Sequence, residues 1–138
     1  MARSRSCYHV LLLLAASCAM LRPTFACRCF NDTASMVLTG PYQRQLHDHV
    51  TIENCASACA EIGLTVAGID GGNHCWCGGL ADLDSATAKQ QARPTAECTP
   101  KDCPMKSRDG CSCSGDPAER CGAAQRLMAY EFTCRSTR

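Results

Sequence analysis

Cysteine accounts for 14 of the 138 residues, and at that density two kinds of chemistry compete: metal ligation and oxidation in pairs. Cys55 and Cys59 are four apart. On a helix both sulfurs project from one face, with their Cα atoms separated by roughly 6 Å along the axis. Cys75 and Cys77 are two apart and share a face on a strand, at roughly 6.6 Å. Two donors on each element at matching separations can be joined by parallel bridges, so the spacing predicts Cys55–Cys75 and Cys59–Cys77. Each such bridge contributes about 2–4 kcal/mol, largely by restricting the unfolded chain. The rival chemistry starts from three C-x-C pairs, Cys27-x-Cys29, Cys75-x-Cys77 and Cys111-x-Cys113, with His47, His49 and His74 near them in sequence. Structural zinc sites favour C-x2–4-C spacing, and the chain opens with an export signal that leads to an oxidising compartment. Disulfides are therefore expected, with no metal and no cofactor.

That export signal is residues 1–26. Arg3 and Arg5 precede the apolar run Val10–Ala16, and Thr24-Phe25-Ala26 offers small residues for a cut after Ala26. A cut after Ala19 is a second possibility. An uncleaved anchor is the competing reading, but the run breaks at Ser17-Cys18 and falls short of the ~20 apolar residues of a span. Loss of Arg3, Arg5 and Arg22 leaves eleven basic residues against thirteen acidic, a formal charge of −2. Loss of Cys7 and Cys18 leaves twelve cysteines in 112 residues, an even number that suits six disulfides. The remainder carries no membrane span and no hydrophobic C-terminal tail for a lipid anchor. The expected product is secreted and extracellular. The near balance of charge gives nucleic acid no basic field to bind, and 46% hydrophobic residues are too many for a disordered chain.

The elements that must position these sulfurs can be read next. Residues 51–62 are the best helix. Thr51 can cap it, Glu53 complements its dipole, and Gly63 suits the position after its end. Ile52, Cys55, Cys59 and Ile62 form one stripe. Residues 65–70, a Gly71-Gly72-Asn73 turn and residues 74–78 make a hairpin. Cys27–Phe30 and Arg126–Phe132 read as the first and last strands. Residues 34–50, with Gly40-Pro41, read as a surface loop, and residues 79–112 as an insertion in which 84–91 can wind into a short helix. Cys113 to Cys121 is a tight loop. The expected fold is a small disulfide-rich α+β domain over 27–134, one main helix on an antiparallel sheet, followed by a tail at 135–138. Asn31-Asp32-Thr33 fits the N-glycosylation acceptor pattern, which would place Asn31 on an exposed loop.

With these elements in order, the chain resembles a WSC domain, the cysteine-rich module of fungal cell-wall stress sensors and Kremen receptors. The resemblance is carried by Cys29-Phe30, by Val50–Cys59, and by Ala67-Gly68-Ile69 through Cys75-Trp76-Cys77-Gly78. Cys113-Ser114-Gly115-Asp116, Cys121-Gly122, Arg126-Leu127 and Tyr130 complete it. It implies that helical cysteines bond hairpin cysteines, that Cys113 bonds Cys121, and that Cys29 bonds a cysteine just before Cys113. The family pattern has one such cysteine, whereas this chain offers Cys98, Cys103 and Cys111. Cys111 is chosen for Cys29, which leaves Cys98–Cys103 as a local loop. Cys27 and Cys134 remain, and would be joined if the terminal strands are neighbours.

The resemblance implies a non-catalytic carbohydrate-binding module with polysaccharide as its partner. Such binding needs aromatic faces against apolar sugar faces and polar groups to read hydroxyls. Trp76 must point away from Cys75 and Cys77 on its strand, either as a sugar platform or packed under the insertion. Tyr42 in its loop is the other ring. Arg44, Asp48 and Asn73 are the leading hydroxyl partners, with Gln43, Gln45 and His47 beside them. The histidines otherwise read as solvated loop residues. A secreted protein-binding module (adhesion factor, receptor ligand or inhibitor) is the alternative, with an extracellular protein as partner. Catalysis by Asp48 with His47 or His49, or by Asp82 with Asp84, lacks a recognised motif and a deep cleft.

Overall fold

A computed structural model describes residues 21–31, 37–98 and 111–134, with side chains from Arg28 to Phe132 within those ranges. The expected leader up to residue 20, Asp32-Thr33, Cys103 and the 135–138 tail lie outside the described residues. A five-stranded antiparallel sheet holds the molecule together. It contains β1 (Leu21–Asn31), β2 (Val66–Asp70), β3 (His74–Gly78), β4 (Ala92–Arg93) and β7 (Arg126–Cys134), in the order β3-β2-β7-β1-β4. A second, two-stranded sheet pairs β5 (Ser112–Cys113) with β6 (Asp116–Arg120). The fold is a small disulfide-rich α+β domain. Among the described residues no helix is long and apolar enough to cross a membrane.

The main helix, α1, spans Ile52–Glu61. Thr51 Oγ1 accepts from the Asn54 N–H at 3.0 Å, and the Asn54 side chain accepts from the Thr51 N–H at 2.8 Å. This reciprocal capping box satisfies two donors that the helix start leaves unpaired. At the other end Gly63 takes φ +79°. The Gly63 and Leu64 N–H groups return to the carbonyls of Ala60 and Cys59, a Schellman closure that glycine makes cheap. Ile62, expected on the buried stripe, is 50% exposed, because the helix has already ended at Glu61.

Strand alternation then divides the core in two. Cys75 and Cys77 on β3, with Ala67 and Ile69 on β2, face α1 and form one buried cluster with Ile52, Cys55 and Cys59. Trp76, Val66, Leu127 and Phe30 face the other way, onto a cluster built with Val37, Leu38, Leu83 and Ala88. Burial in these clusters corrects one expectation. The 34–50 segment is not merely a surface loop, since Val37, Leu38 and Val50 are buried. The insertion packs on the sheet, with a short helix within the expected 84–91. Its α2 (Leu80–Leu83) and α3 (Ala86–Gln91) bury Leu83 and Ala88 against the sheet, and β4 adds to the outer edge of β1.

The disulfides lock this arrangement. Cys55 bonds Cys75 and Cys59 bonds Cys77, so α1 is fixed to β3 at two points one helical turn apart. Cys113 bonds Cys121. The expected Cys29–Cys111 and Cys98–Cys103 bonds are corrected: Cys29 bonds Cys98. Pairing of β4 with β1 sets Arg93 opposite Cys29, and the short helix α4 (Thr95–Cys98) then delivers Cys98 into a buried group with Cys29 and Met128. Cys111 is disulfide-bonded too, to a cysteine other than Cys29. The expected Cys27–Cys134 bond falls outside the described side chains. The backbone sets Cys27 opposite Tyr130 and Cys134 opposite Leu21, with a break in register between Pro23 and Cys27.

Candidate functional site

The candidate site lies along the outer edge of β3. Residues 41–43 lie antiparallel to that edge. The Gln43 N–H donates to the Cys75 carbonyl at 2.8 Å and the Cys77 N–H donates to the Pro41 carbonyl at 3.2 Å, which sets Tyr42 opposite Trp76. Gly40 makes this approach possible: a Cβ there would collide with the Cys77 carbonyl oxygen. Gln43, expected as a surface hydroxyl partner, is instead buried. It anchors the segment, with its Oε1 accepting from Gln45 Nε2 at 2.7 Å.

The result is a ledge of rings. Tyr42 and Trp76 have centroids 4.7 Å apart at 36°. Tyr42 and His74 are 5.9 Å apart, and His74 meets His47 edge-on at 5.2 Å. His47 and His74, expected to be solvated, are 43% and 41% exposed and also meet each other on the ledge, while His49 is exposed. Trp76 is partly buried against the Phe30–Leu38–Leu83 cluster. Of its two expected roles the packing one is seen: the indole packs against the insertion, and it also stacks on Tyr42. The indole N–H is enclosed and finds no acceptor among the described residues, so the ring meets the ledge through its face and edge carbons.

Polar groups flank the rings. Asn73 Nδ2 lies 3.1 Å from His47 Nε2, and His47 Nδ1 lies 3.1 Å from Asp48 Oδ1. The neutral tautomer with its proton on Nδ1 satisfies both contacts. His74 Nδ1 lies 2.8 Å from Asp70 Oδ1. Burial raises the Tyr42 hydroxyl above its ordinary value, Arg44 opposes the rise, and Asp70 and Asp48 add to it. The phenol therefore stays protonated at neutral pH and can donate. The fold brings Tyr42, Asp48, Asn73 and Trp76 to one edge, with Arg44 exposed in the short 3-10 turn Arg44–Leu46 beside them. His74 and Asp70 were missed as site members. Their sequence signal was alternation on the hairpin, which places them on the same face as Trp76.

Other candidates have different employment. Asp82 accepts from the Thr39 hydroxyl at 2.8 Å and from the Gly79 N–H at 3.1 Å, so it ties the 37–40 segment to the start of α2. Asp84 is exposed and lies 3.8 Å from Arg28. The sulfurs of Cys55, Cys59 and Cys75 converge within 4.8 Å, but all three are in disulfides, and a metal would require thiolates. Asn31 ends β1 opposite Arg126 rather than sitting in a loop, and its Oδ1 accepts from Arg126 Nη1 at 3.1 Å.

A sheet riveted to one helix by paired disulfides, with an aromatic ledge on its edge, defines a small binding module. The profile of the WSC domain family matches residues 26–123, and the chain belongs to the WSC domain family. A WSC domain-containing protein of Arthroderma benhamiae is 29% identical over 85 residues, which cover 62% of this chain and 8% of that protein. Kremen protein 2 of Homo sapiens is 29% identical over 106 residues, covering 76% of this chain and 19% of that protein. A putative fungistatic metabolite of Chaetomium globosum is 28% identical over 83 residues, covering 60% of this chain and 30% of that protein. The chain thus spans less than a third of the length of each of these relatives.

Proposed function

We propose that this chain is a secreted, non-catalytic module that binds extracellular or cell-wall polysaccharide through the Tyr42–Trp76 ledge. The observation that carries the reading is the ring pair at 4.7 Å beside Asn73, His47 and the Asp48 and Asp70 carboxylates. Ring faces hold the apolar side of a sugar, and flanking amides and carboxylates read its hydroxyls. A ledge, unlike a closed cleft, lets a long chain pass along it, which suits a polymer. Secretion rests on the leader pattern in 1–26. The family profile begins at residue 26, and a cut after Ala26 leaves Cys27–Asn31 paired with Arg126–Tyr130. N-terminal sequencing of the exported protein should begin at Cys27. Glycosylation at Asn31 is part of the same proposal, and a glycosidase-induced mass shift tests it.

Retention on insoluble β-glucan, chitin, cellulose and xylan, measured in parallel, tests the ligand class. Retention on one of them, lost in Tyr42→Ala and Trp76→Ala while near-UV circular dichroism persists, is the expected result. The similarity to Kremen protein 2 favours a second reading as a protein-binding module. No retention on any glycan, with a defined extracellular protein captured through the same ledge, would replace the first reading with the second.

A further inference from the structure

A recess of about 270 Å³ lies at the far end of the sheet from the β3 edge, where β1 meets β4 and α3. Its floor is apolar, made by Phe30, Leu83 and Ala88, all buried. Its walls carry three cations, Arg28, Lys89 and Arg93, and among the described residues no carboxylate. One acid stands at the rim: Asp84, itself 76% exposed, lies 3.8 Å from an Arg28 guanidinium that is 45% exposed. Such an exposed contact neutralises little. Arg93 spends Nη1 on the Ala92 carbonyl at 2.8 Å and the Gln90 carbonyl at 3.5 Å, which holds its guanidinium in place. Three like charges around one recess repel each other, and an anion placed among them relieves that repulsion. The volume is below the ~300–1,000 Å³ of drug-sized pockets, so it suits a single charged ring and not a cofactor.

The strand register relates this recess to the ledge. Trp76 stands opposite Gly68, Gly68 opposite Ala129, and Ala129 opposite Arg28. Trp76 and Arg28 therefore share one face of the sheet, three strand spacings or roughly 14 Å apart. From these observations we propose that the recess is an anion subsite and that the polysaccharide bound by this module is acidic. A carboxylate or sulfate on one sugar sits among Arg28, Lys89 and Arg93. The inference rests on the glycan reading above and adds the charge class of the ligand.

The test is calorimetric titration of the full chain with three oligosaccharides of equal length: neutral β-glucan, uronic-acid-containing and sulfated. Wild type, Trp76→Ala and the triple variant Arg28→Gln, Lys89→Gln, Arg93→Gln are compared, with thermal melts to verify folding. At least one acidic oligosaccharide should bind about tenfold more tightly than the neutral one, the equivalent of a single added charge-assisted hydrogen bond. The triple variant should abolish that margin and leave neutral binding intact, and raised salt should shrink it. The arm that shows the margin identifies carboxylate or sulfate as the group read. Equal affinity for acidic and neutral sugars in the wild type, or a margin that survives the triple variant, overturns the subsite while leaving the ledge standing. Acidic binding that persists in Trp76→Ala but not in the triple variant supports the subsite and removes the ledge. No binding of any oligosaccharide overturns both.

Discussion

Glu119 shows how one residue serves structure at an electrostatic cost. Its Oε1 accepts the Ile52 N–H at 3.0 Å, satisfying one of the unpaired donors at the start of α1. Burial raises its pKa above the ordinary 4.5; the hydrogen bond from Ile52 opposes the rise, and Asp116 and Glu53 add to it. A carboxyl with a raised folded-state pKa is bound to its proton more tightly when folded than when unfolded. The stability linked to it is therefore complete below the ordinary value and is lost as pH rises through the folded one. Glu119→Gln keeps the acceptor and removes the charge. Its melting temperature should exceed that of wild type at neutral pH, and the gap should close as pH falls below 4.5, as followed by calorimetry across pH. Tyr130 is affected in the same direction, by burial first and then by Glu119. Its hydroxyl donates to the Arg120 carbonyl at 3.2 Å. A second residue-scale expectation concerns the ledge. Tyr42→Phe keeps the ring stack on Trp76 and loses one hydroxyl, so glycan retention should weaken far less than in Tyr42→Ala, measured by affinity electrophoresis.

At the scale of elements, the 37–43 segment decides whether the ledge exists. It is not part of the hairpin, yet it carries Tyr42, and it reaches Trp76 only because Gly40 permits contact with the Cys77 carbonyl. Gly40→Ala should push the segment off the β3 edge. Tryptophan fluorescence should change as Trp76 loses Tyr42, and glycan retention should fall while the disulfide pattern stays the same. The capping box of α1 is a separate device at the same scale. Thr51→Ala removes the acceptor for the Asn54 N–H and should cost about 1 kcal/mol by chemical denaturation. The helix should survive, because its cysteines hold it to β3.

At the scale of the molecule, covalent bonds connect what the sheet brings together. The Cys29–Cys98 bond closes a sequence separation of 69, against 20 and 18 for the two helix rivets. In the chain-entropy account a longer loop constrains the unfolded chain more. Replacing Cys29 and Cys98 by serine should lower stability by about 2–5 kcal/mol in denaturant titration. It should also loosen β4, and with it the Arg93 wall of the anion recess. Peptide mapping of the non-reduced protein should recover Cys29 linked to Cys98. A Cys29–Cys111 peptide would overturn both this bond and the docking of α4.

The main helix and the 65–78 hairpin were legible in the sequence because each rests on a local period, and the spacing of their cysteines made the α1–β3 pairing favourable without fixing it. Four residues on a helix and two on a strand set the directions of Cys55, Cys59, Cys75 and Cys77 whatever lies around them. The candidate residues Tyr42, Asp48, Asn73 and Trp76 could be named from type alone. Their meeting, and the addition of His74 and Asp70, could not, since it depends on a loop lying along a strand edge. The partner of Cys29 was illegible for the same reason. Cys98, Cys103 and Cys111 are equivalent as letters, and only the pairing of β4 with β1 brings Cys98 within bonding reach. Local spacing is a property of the chain itself, whereas proximity between distant segments is created by burying Val37, Leu38, Leu83 and Ala88 against the sheet. That burial brings the ledge together and forms the floor of the recess.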